Sequence, residues 1–316
     1  MNDLRKETVT FVKIDDTADG QRIDNYLFRH LKGVPKSHIY RILRTGQVRV
    51  NKARSDAAYK LALGDEVRIP PLRLGVAEHT LPVMLPTSGK RLLDHVLYRD
   101  EAMIVLNKPA GMAVHGGSGV SVGVIEQLRA ELPGCRFLEL AHRLDRETSG
   151  VLILACKRSA LVSLHDMFRE GRINKRYLTL VNGRWHNPVQ HVQAPLYKYV
   201  DATGERRVRV SEEGKSAHTV FRLQQAWPDF SLLEAELKTG RTHQIRVHLA
   251  HLCYPIAGDD KYGNFTMNRV LAKRKLKRMF LHAWRVELMH PLTHELLTIE
   301  AQLPDELQSF MSGLTV

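Results

Sequence analysis

Residues Ala141–Gly150 read AHRLDRETSG, and the run that follows, Val151–Cys156, reads VLILAC. A charged, turn-rich segment therefore feeds straight into an apolar strand destined for the core. Loops fixed against a rigid strand are where catalytic groups tend to sit. Within the loop a carboxylate, Asp145, stands between Arg143 and Arg146. Opposite charge on both sides favours the ionised form. With neither a His nor a second acid beside it, such a carboxylate points to a nucleophile or an electrostatic stabiliser, not a proton donor. The same alternation of Arg and Asp also fits a surface ion-pair network, and charge alone leaves both readings standing.

Composition narrows the setting. At 316 residues the chain has room for two domains and a sizeable core. Its 43% apolar and 26% charged content is that of a soluble globular protein. Lys and Arg total 47 against 34 acidic residues, a formal net charge of +13, which points to a polyanionic partner and above all to nucleic acid. No apolar run approaches a membrane span, and the opening residues MNDLRKETVT lack the apolar core of a signal peptide. Cys135, Cys156 and Cys253 are odd in number and widely spaced, which fits neither a disulfide framework nor a zinc pattern. A cytoplasmic protein with no membrane partner is expected.

Residues 1–19 read as an extension with one strand-like piece, Thr8–Ile14, and residues 20–71 as a small domain. Ile23, Tyr26, Leu27 and Leu31 repeat at helical spacing, and Gly33-Val34-Pro35 ends that helix. A second helix is expected from a cap at Ser37, with Ile39, Ile42 and Leu43 on one face and Arg41 and Arg44 on the other. Val48–Val50 and Glu66–Ile69 read as strands. Between Arg22 and Arg68 basic residues outnumber acidic ones eleven to four. Solvated basic faces are common on small domains, yet the runs RIDNYL, SHIYRILRTGQVRVN and LGDEVRIP resemble the S-four domain, an RNA-binding module named after a ribosomal protein. That resemblance implies RNA-backbone contacts from Ser37, Arg41, Arg44, Arg49 and Lys52, contacts that position a protein without reading sequence. Residues 72–90 lose periodicity, hold Pro82 and Pro86, and read as a linker.

The second domain is expected over 91–316. Ala102–Asn107 is a strand and Lys108–Gly111 a turn. The glycine-rich MAVHGGSG that follows lacks the Lys-Ser/Thr of a P-loop and the Rossmann spacing, so no nucleotide cofactor is expected. Helices are expected at Ser121–Leu132 and Ser159–Arg169, strands at Asn174–Val181 and Phe230–Lys238, and basic-edged hairpins over 183–229. In TGRTHQIRVHLAHL (239–252) Ile245, Leu249 and Leu252 keep helical spacing, with Thr242 as the expected cap. Three histidines and Cys253 lie here, but no spacing matches a ligand set, and no metal is expected. Asn268–Arg278 reads as a solvated helix or an RNA-facing loop, and Met279–Met289 and Leu296–Ala301 as strands.

HRLDRETSG resembles the signature of the RluA-type ribosomal RNA pseudouridine synthases. LNKPAGMAVHGGSG, KRY (175–177), GRTHQIRVH and GDDKYG resemble further motifs of that family, in the right order, and the HGGSG form leans towards its C subgroup, which acts on the large-subunit RNA at three uridines. The resemblance spans about 20 to 300. It implies an α+β fold, in which the S-four-like domain precedes a mixed, largely antiparallel sheet. It makes Asp145 the nucleophile and Tyr177 an active-site ring able to stack on a flipped-out base, although a tyrosine heading an apolar strand is also an ordinary core residue. Arg246, with Arg241 second, becomes the basic partner of Asp145. Ile245 would pack beneath the base, Arg143 would help displace it, and His115 would touch RNA or serve the loop. The implied activity is isomerisation of uridine to pseudouridine in large-subunit ribosomal RNA or its assembly intermediate, without cofactors, by a monomer. The alternative is a non-catalytic RNA-binding ribosome-assembly factor on the same fold. An RNA-base hydrolase would also use Asp145, but would release free uracil.

Overall fold

The computed structural model describes residues 8–31, 33–72, 91–116 and 122–314. The chain divides into two compact units, 1–84 and 85–316. The expected linker lies outside the described residues apart from Leu72, which is buried in the core of the first unit.

The first unit runs β1 (Thr10–Lys13), α1 (Ile23–His30), α2 (Lys36–Arg44), β2 (Arg49–Val50), β3 (Ala53–Arg54) and β4 (Glu66–Ile69). The strands form an antiparallel sheet in the order β1-β4-β2-β3. Ile23, Leu27, Leu31, Ile39, Ile42 and Val67 fill the core, the apolar stripe of each helix meeting the inward residues of β4. Asn51 and Lys52, both with positive φ, form the two-residue turn between β2 and β3. The expected cap at Ser37 is not what starts α2. The helix begins at Lys36 after an extended Pro35, with no side-chain cap. The fixed φ of proline supplies the entry, and Ser37, already inside the first turn, cannot cap the amides it would need.

The second unit opens with β5 (Val96–Arg99) and β6 (Met103–Lys108), then α3 (Val124–Glu131), β7 (Glu139–Leu140), β8 (Ser149–Ala155) and α4 (Arg158–Arg169). It continues with β9 (Asn174–Asn182), β10 (Val189–Gln193), β11 (Leu196–Val200), β12 (Arg206–Val210), β13 (His218–Ala226) and β14 (Phe230–Leu237). The last elements are α5 (Gln244–His251), α6 (Phe265–Lys273), β15 (Leu281–Met289), β16 (Leu296–Glu300) and α7 (Asp305–Ser312). A ten-stranded sheet runs β10-β13-β14-β9-β15-β8-β6-β5, with β16 on β15 and β7 on β8, and β11 and β12 form a separate hairpin. All neighbours are antiparallel except β8 and β15. The fold is α+β.

Every residue of β8 is buried, as its unbroken apolar run requires of a central strand covered on both faces. Helix α3 starts later than expected, at Val124, and Ser121 lies outside the described residues. The Glu126 carboxylate caps it, accepting from Gly123 N and Gly116 N at 2.9 Å each, and so ties the glycine-rich loop to the helix. The basic stretch near 268–278 divides between α6, capped by Asn264, and the turn after it.

Candidate active site

The loop before β8 is anchored on every side. His142 Nε2 accepts from Ile153 N at 3.0 Å, and burial pulls that ring down to about 4, keeping it a neutral acceptor. Lys108, fully buried, donates to the carbonyls of Pro109, Met112 and Arg146 at 2.8–3.1 Å. Burial brings its ammonium down to about 7. One side chain thus staples the turn after β6 to the Asp145 loop. Arg278 donates to Glu147 O at 3.2 Å and to Ser149 Oγ at 2.8 Å. Ser149 Oγ lies 2.9 Å from His282 Nδ1, whose Nε2 lies 2.9 Å from Ala301 O. Gly150 has φ +107, and a Cβ there would stand 2.1 Å from Ala283 O, so only glycine lets β8 approach β15 at this point.

Held in this way, Asp145 faces a cleft of about 780 Å³. Its Oδ2 accepts from Arg246 Nη1 at 3.2 Å. The rest of that guanidinium is held by Asp259, through Nε to Oδ2 at 2.8 Å and Nη2 to Oδ1 at 2.7 Å. Asp259 Oδ1 also accepts from the backbone of Lys261 and Tyr262. Burial would lower the Arg246 pKa, but the carboxylates of Asp259 and Asp145 raise it, so the cation is permanent. Asp259 is pushed up by burial and held below its usual range by Arg246. Asp145 remains partly open to the cleft, with 28% of its side chain exposed against 6% for Arg246. Tyr177 lies on β9 among the lining residues, buried, and its phenol is pushed up by burial and by Asp145. Ile245 is buried and lines the cleft beside Arg246. Arg143, Arg169, Lys175, Lys238 and Arg241 add positive charge to the lining.

The structure thus brings Asp145, Tyr177, Ile245, Arg246, Arg143 and Arg241 to one cleft. Arg246, not Arg241, pairs with Asp145; Arg241 donates instead to Ser216 O at 3.0 Å. Arg143 is exposed, and Arg146 turns away to Gly111 O at 2.9 Å, so neither flanking arginine clamps Asp145. His115 is exposed and its neighbour Val114, not His115, lines the cleft. Ser37, Arg41, Arg44, Arg49 and Lys52 are all exposed on the first unit. Two readings need correction. The residue before α5 is His243 in a left-handed conformation, not a capping Thr242, because the chain reverses there too sharply for a serine-type cap. That turn also brings His243 Nε2 to 3.8 Å from Asp145 Oδ2, so the carboxylate does have a histidine neighbour. Sequence alone gives no role to Asp259 or Lys108, although both fall within motifs, GDDKYG and LNKPAGMAVHGGSG, and nothing in the pattern around Lys108 marks burial of a lysine.

A carboxylate held by a buried arginine in a loop that lines a basic cleft, in a chain that also carries a small basic unit, is the equipment of an enzyme for an anionic substrate. The family model described as RNA pseudouridylate synthase matches residues 102–251, and the S4 (S-four) domain model matches residues 21–67. Three relatives named "Ribosomal large subunit pseudouridine synthase C" align over nearly the whole chain. That of Escherichia coli (strain K12) is 52% identical, covering 98% of this chain and 99% of the relative. That of Salmonella typhimurium is 53% identical with the same coverage, and that of Pasteurella multocida 49%, covering 98% and 94%. Among solved structures, human RNA pseudouridylate synthase domain containing 4 is 25% identical with a TM-score of 0.57, covering 70% of this chain and 93% of that one. Human RNA pseudouridylate synthase domain containing 1, at 24% identity and a TM-score of 0.58, shares the fold. The chain belongs to the RNA pseudouridylate synthase family and is an enzyme.

Proposed function

We propose that the protein isomerises uridines to pseudouridine in large-subunit ribosomal RNA, free or in an assembling subunit, and does so in the cytoplasm as a monomer without a cofactor. The observation that carries the reading is the Asp145–Arg246 pair, 3.2 Å apart and facing a cleft that Tyr177 and Ile245 also line. The names of relatives about half identical over nearly the full length support the choice of RNA. In this reading residues 20–71 deliver the RNA, with Ser37, Arg41, Arg44, Arg49 and Lys52 on its backbone, and 91–316 carry the chemistry. The target uridine leaves its stack, because its reactive atoms are out of reach inside it. Tyr177 stacks on the base over Ile245, Arg143 fills the space the base leaves, and Arg241 and His115 contact flanking RNA.

Asp145, paired with Arg246, then acts on the ribose at one of two atoms. As a nucleophile it attacks the anomeric carbon; as a base it removes the 2′ proton. Either way the C–N glycosidic bond breaks and uracil leaves with its electron pair on N1. It rotates and bonds C1′ through C5, while the Asp145–C1′ bond breaks in the first route or Asp145 returns its proton to C2′ in the second, which regenerates the carboxylate. N1 gains a proton and C5 loses one, so nothing is oxidised or reduced. Deuteration at the 2′ position slows a single turnover if Asp145 is the base and leaves it unchanged if it is the nucleophile. The function itself is tested by mapping pseudouridine in ribosomal RNA from cells lacking the protein, complemented with wild type or Asp145→Ala. Large-subunit sites that vanish and return only with wild type establish the function and the role of Asp145. Sites that persist without the protein overturn it.

A further inference from the structure

His243 enters the sequence reading only as a metal ligand to be set aside, yet its placement is unusual. It precedes α5 with φ 55 and ψ 22, in the left-handed region. A non-glycine residue there carries strain of about 1 kcal/mol or more, which persists only where the surroundings fix it. Here both ring nitrogens face partners. Nδ1 lies 2.8 Å from the Tyr262 hydroxyl, and that hydroxyl also accepts from Val208 N at 3.0 Å. The Tyr262 oxygen accepts from Val208 N and keeps its own proton to donate, while Nε2 faces a carboxylate that only accepts, so the arrangement that satisfies every contact has Tyr262 donating to His243 Nδ1. With Nδ1 accepting, the neutral imidazole carries its hydrogen on Nε2. That nitrogen lies 3.8 Å from Asp145 Oδ2, the oxygen Arg246 also reaches.

The charged groups around the ring are Asp145 from the loop, Arg246 from its own helix, and Asp259 and Lys261 from the turn after it. Burial lowers the ring's pKa and outweighs the opposing pull of Asp145, so the imidazole is neutral at physiological pH. We propose that His243 is a positioning residue, a neutral Nε2–H donor that closes on Asp145 Oδ2 in the substrate complex and holds the carboxylate against the ribose. The role rests on the reading of Asp145 given above. The distance exceeds a hydrogen bond by less than 1 Å, and catalytic hydrogen bonds of this length tighten once substrate is in place. The donor is also tied to the β11–β12 hairpin. Val208 on β12 holds Tyr262, and Arg207 donates to Lys261 O at 3.0 Å.

The test is single-turnover kinetics of the full chain on a large-subunit ribosomal RNA transcript, with RNA affinity measured in parallel. His243→Gly keeps the turn, since glycine adopts the left-handed region freely, and removes the Nε2–H donor together with the Nδ1 acceptor of Tyr262. Its rate is expected to fall about 10- to 100-fold, the worth of a hydrogen bond to a charged group, with affinity unchanged. His243→Gln, which restores an N–H near the Nε2 position, should recover most of the rate. A His243→Gly variant at wild-type rate, a His243→Gln variant as slow as the glycine one, or a loss confined to affinity overturns the proposal. Asp145→Ala is measured alongside. If it still turns over, the underlying reading has failed; if it is dead while His243→Gly runs at full rate, only the role of His243 has.

Discussion

Three N–H groups of Arg246 point at carboxylates, two at Asp259 and one at Asp145. The two acids have different environments: Asp259 is buried and Asp145 is open to the cleft. Asp259 therefore fixes the guanidinium so that its remaining donor is already aimed at Asp145. Removing one partner of a buried charge pair leaves the other uncompensated, which costs about 3–5 kcal/mol. Asp259→Ala is expected to lower unfolding stability by roughly that amount. It should also slow turnover by about 100-fold, because the arginine is no longer held in line. Asp259→Asn, which keeps one acceptor, should fall between. Denaturant unfolding and single-turnover rates check both, and an Asp259→Ala variant at full rate removes the positioning role. At this scale the sequence was informative about Asp145 and Arg246, because their motifs carry them. It misled about Arg146, which turns to Gly111 O and away from Asp145, since adjacency in sequence says nothing about where a side chain turns. It was silent about the turn at His243, because a single left-handed residue leaves no mark in the hydrophobic pattern.

The link from β8 to β15 is short, with paired positions only at Ser149–His282 and Ala283–Gly150. Side chains reinforce it, in a chain from Arg278 through Ser149 and His282 to Ala301 O. With Nε2 donating to that carbonyl, His282 Nδ1 must accept from Ser149, so the ring serves only when neutral. Burial lowers its pKa from 6.5 to about 4. The folded value lies below the unfolded one, so the unfolded state binds more protons between them and stability rises with pH. The contribution is complete above about pH 6.5 and is lost as pH falls towards 4, up to about 3 kcal/mol. Urea unfolding of wild type at pH 7.5 and 4.5 should show this loss, and His282→Gln should flatten the dependence by about one proton. An unchanged slope in that variant assigns the acid sensitivity elsewhere. Individual elements were readable because β8, β9 and β14 have strong apolar patterns and α4 has clear periodicity. Their neighbours in the sheet were not, since strand order and the parallel β8–β15 contact depend on pairings far apart in sequence.

The formal charge of +13 acts on the molecule as a whole, and the two units use it differently. In the first unit Arg41, Arg44, Arg49 and Lys52 are exposed side chains on a small basic scaffold. In the second, the cation nearest the candidate chemistry is buried and paired. Exposed cations that meet RNA phosphates release counterions, so affinity falls with salt by about 0.7 logarithmic units per contact on single strands. Buried cations already neutralised by protein carboxylates contribute little to that slope. Replacing Arg41, Arg44, Arg49 and Lys52 together by alanine should therefore reduce the slope of log affinity against log salt by about 3. Affinity at physiological salt should weaken, while the single-turnover rate at saturating RNA stays near wild type. The Arg246→Ala variant should do the reverse, losing rate and keeping the slope. A fourfold variant with the wild-type slope would mean that the basic face of the first unit does not meet phosphate, and that the RNA is gripped by the cleft unit instead.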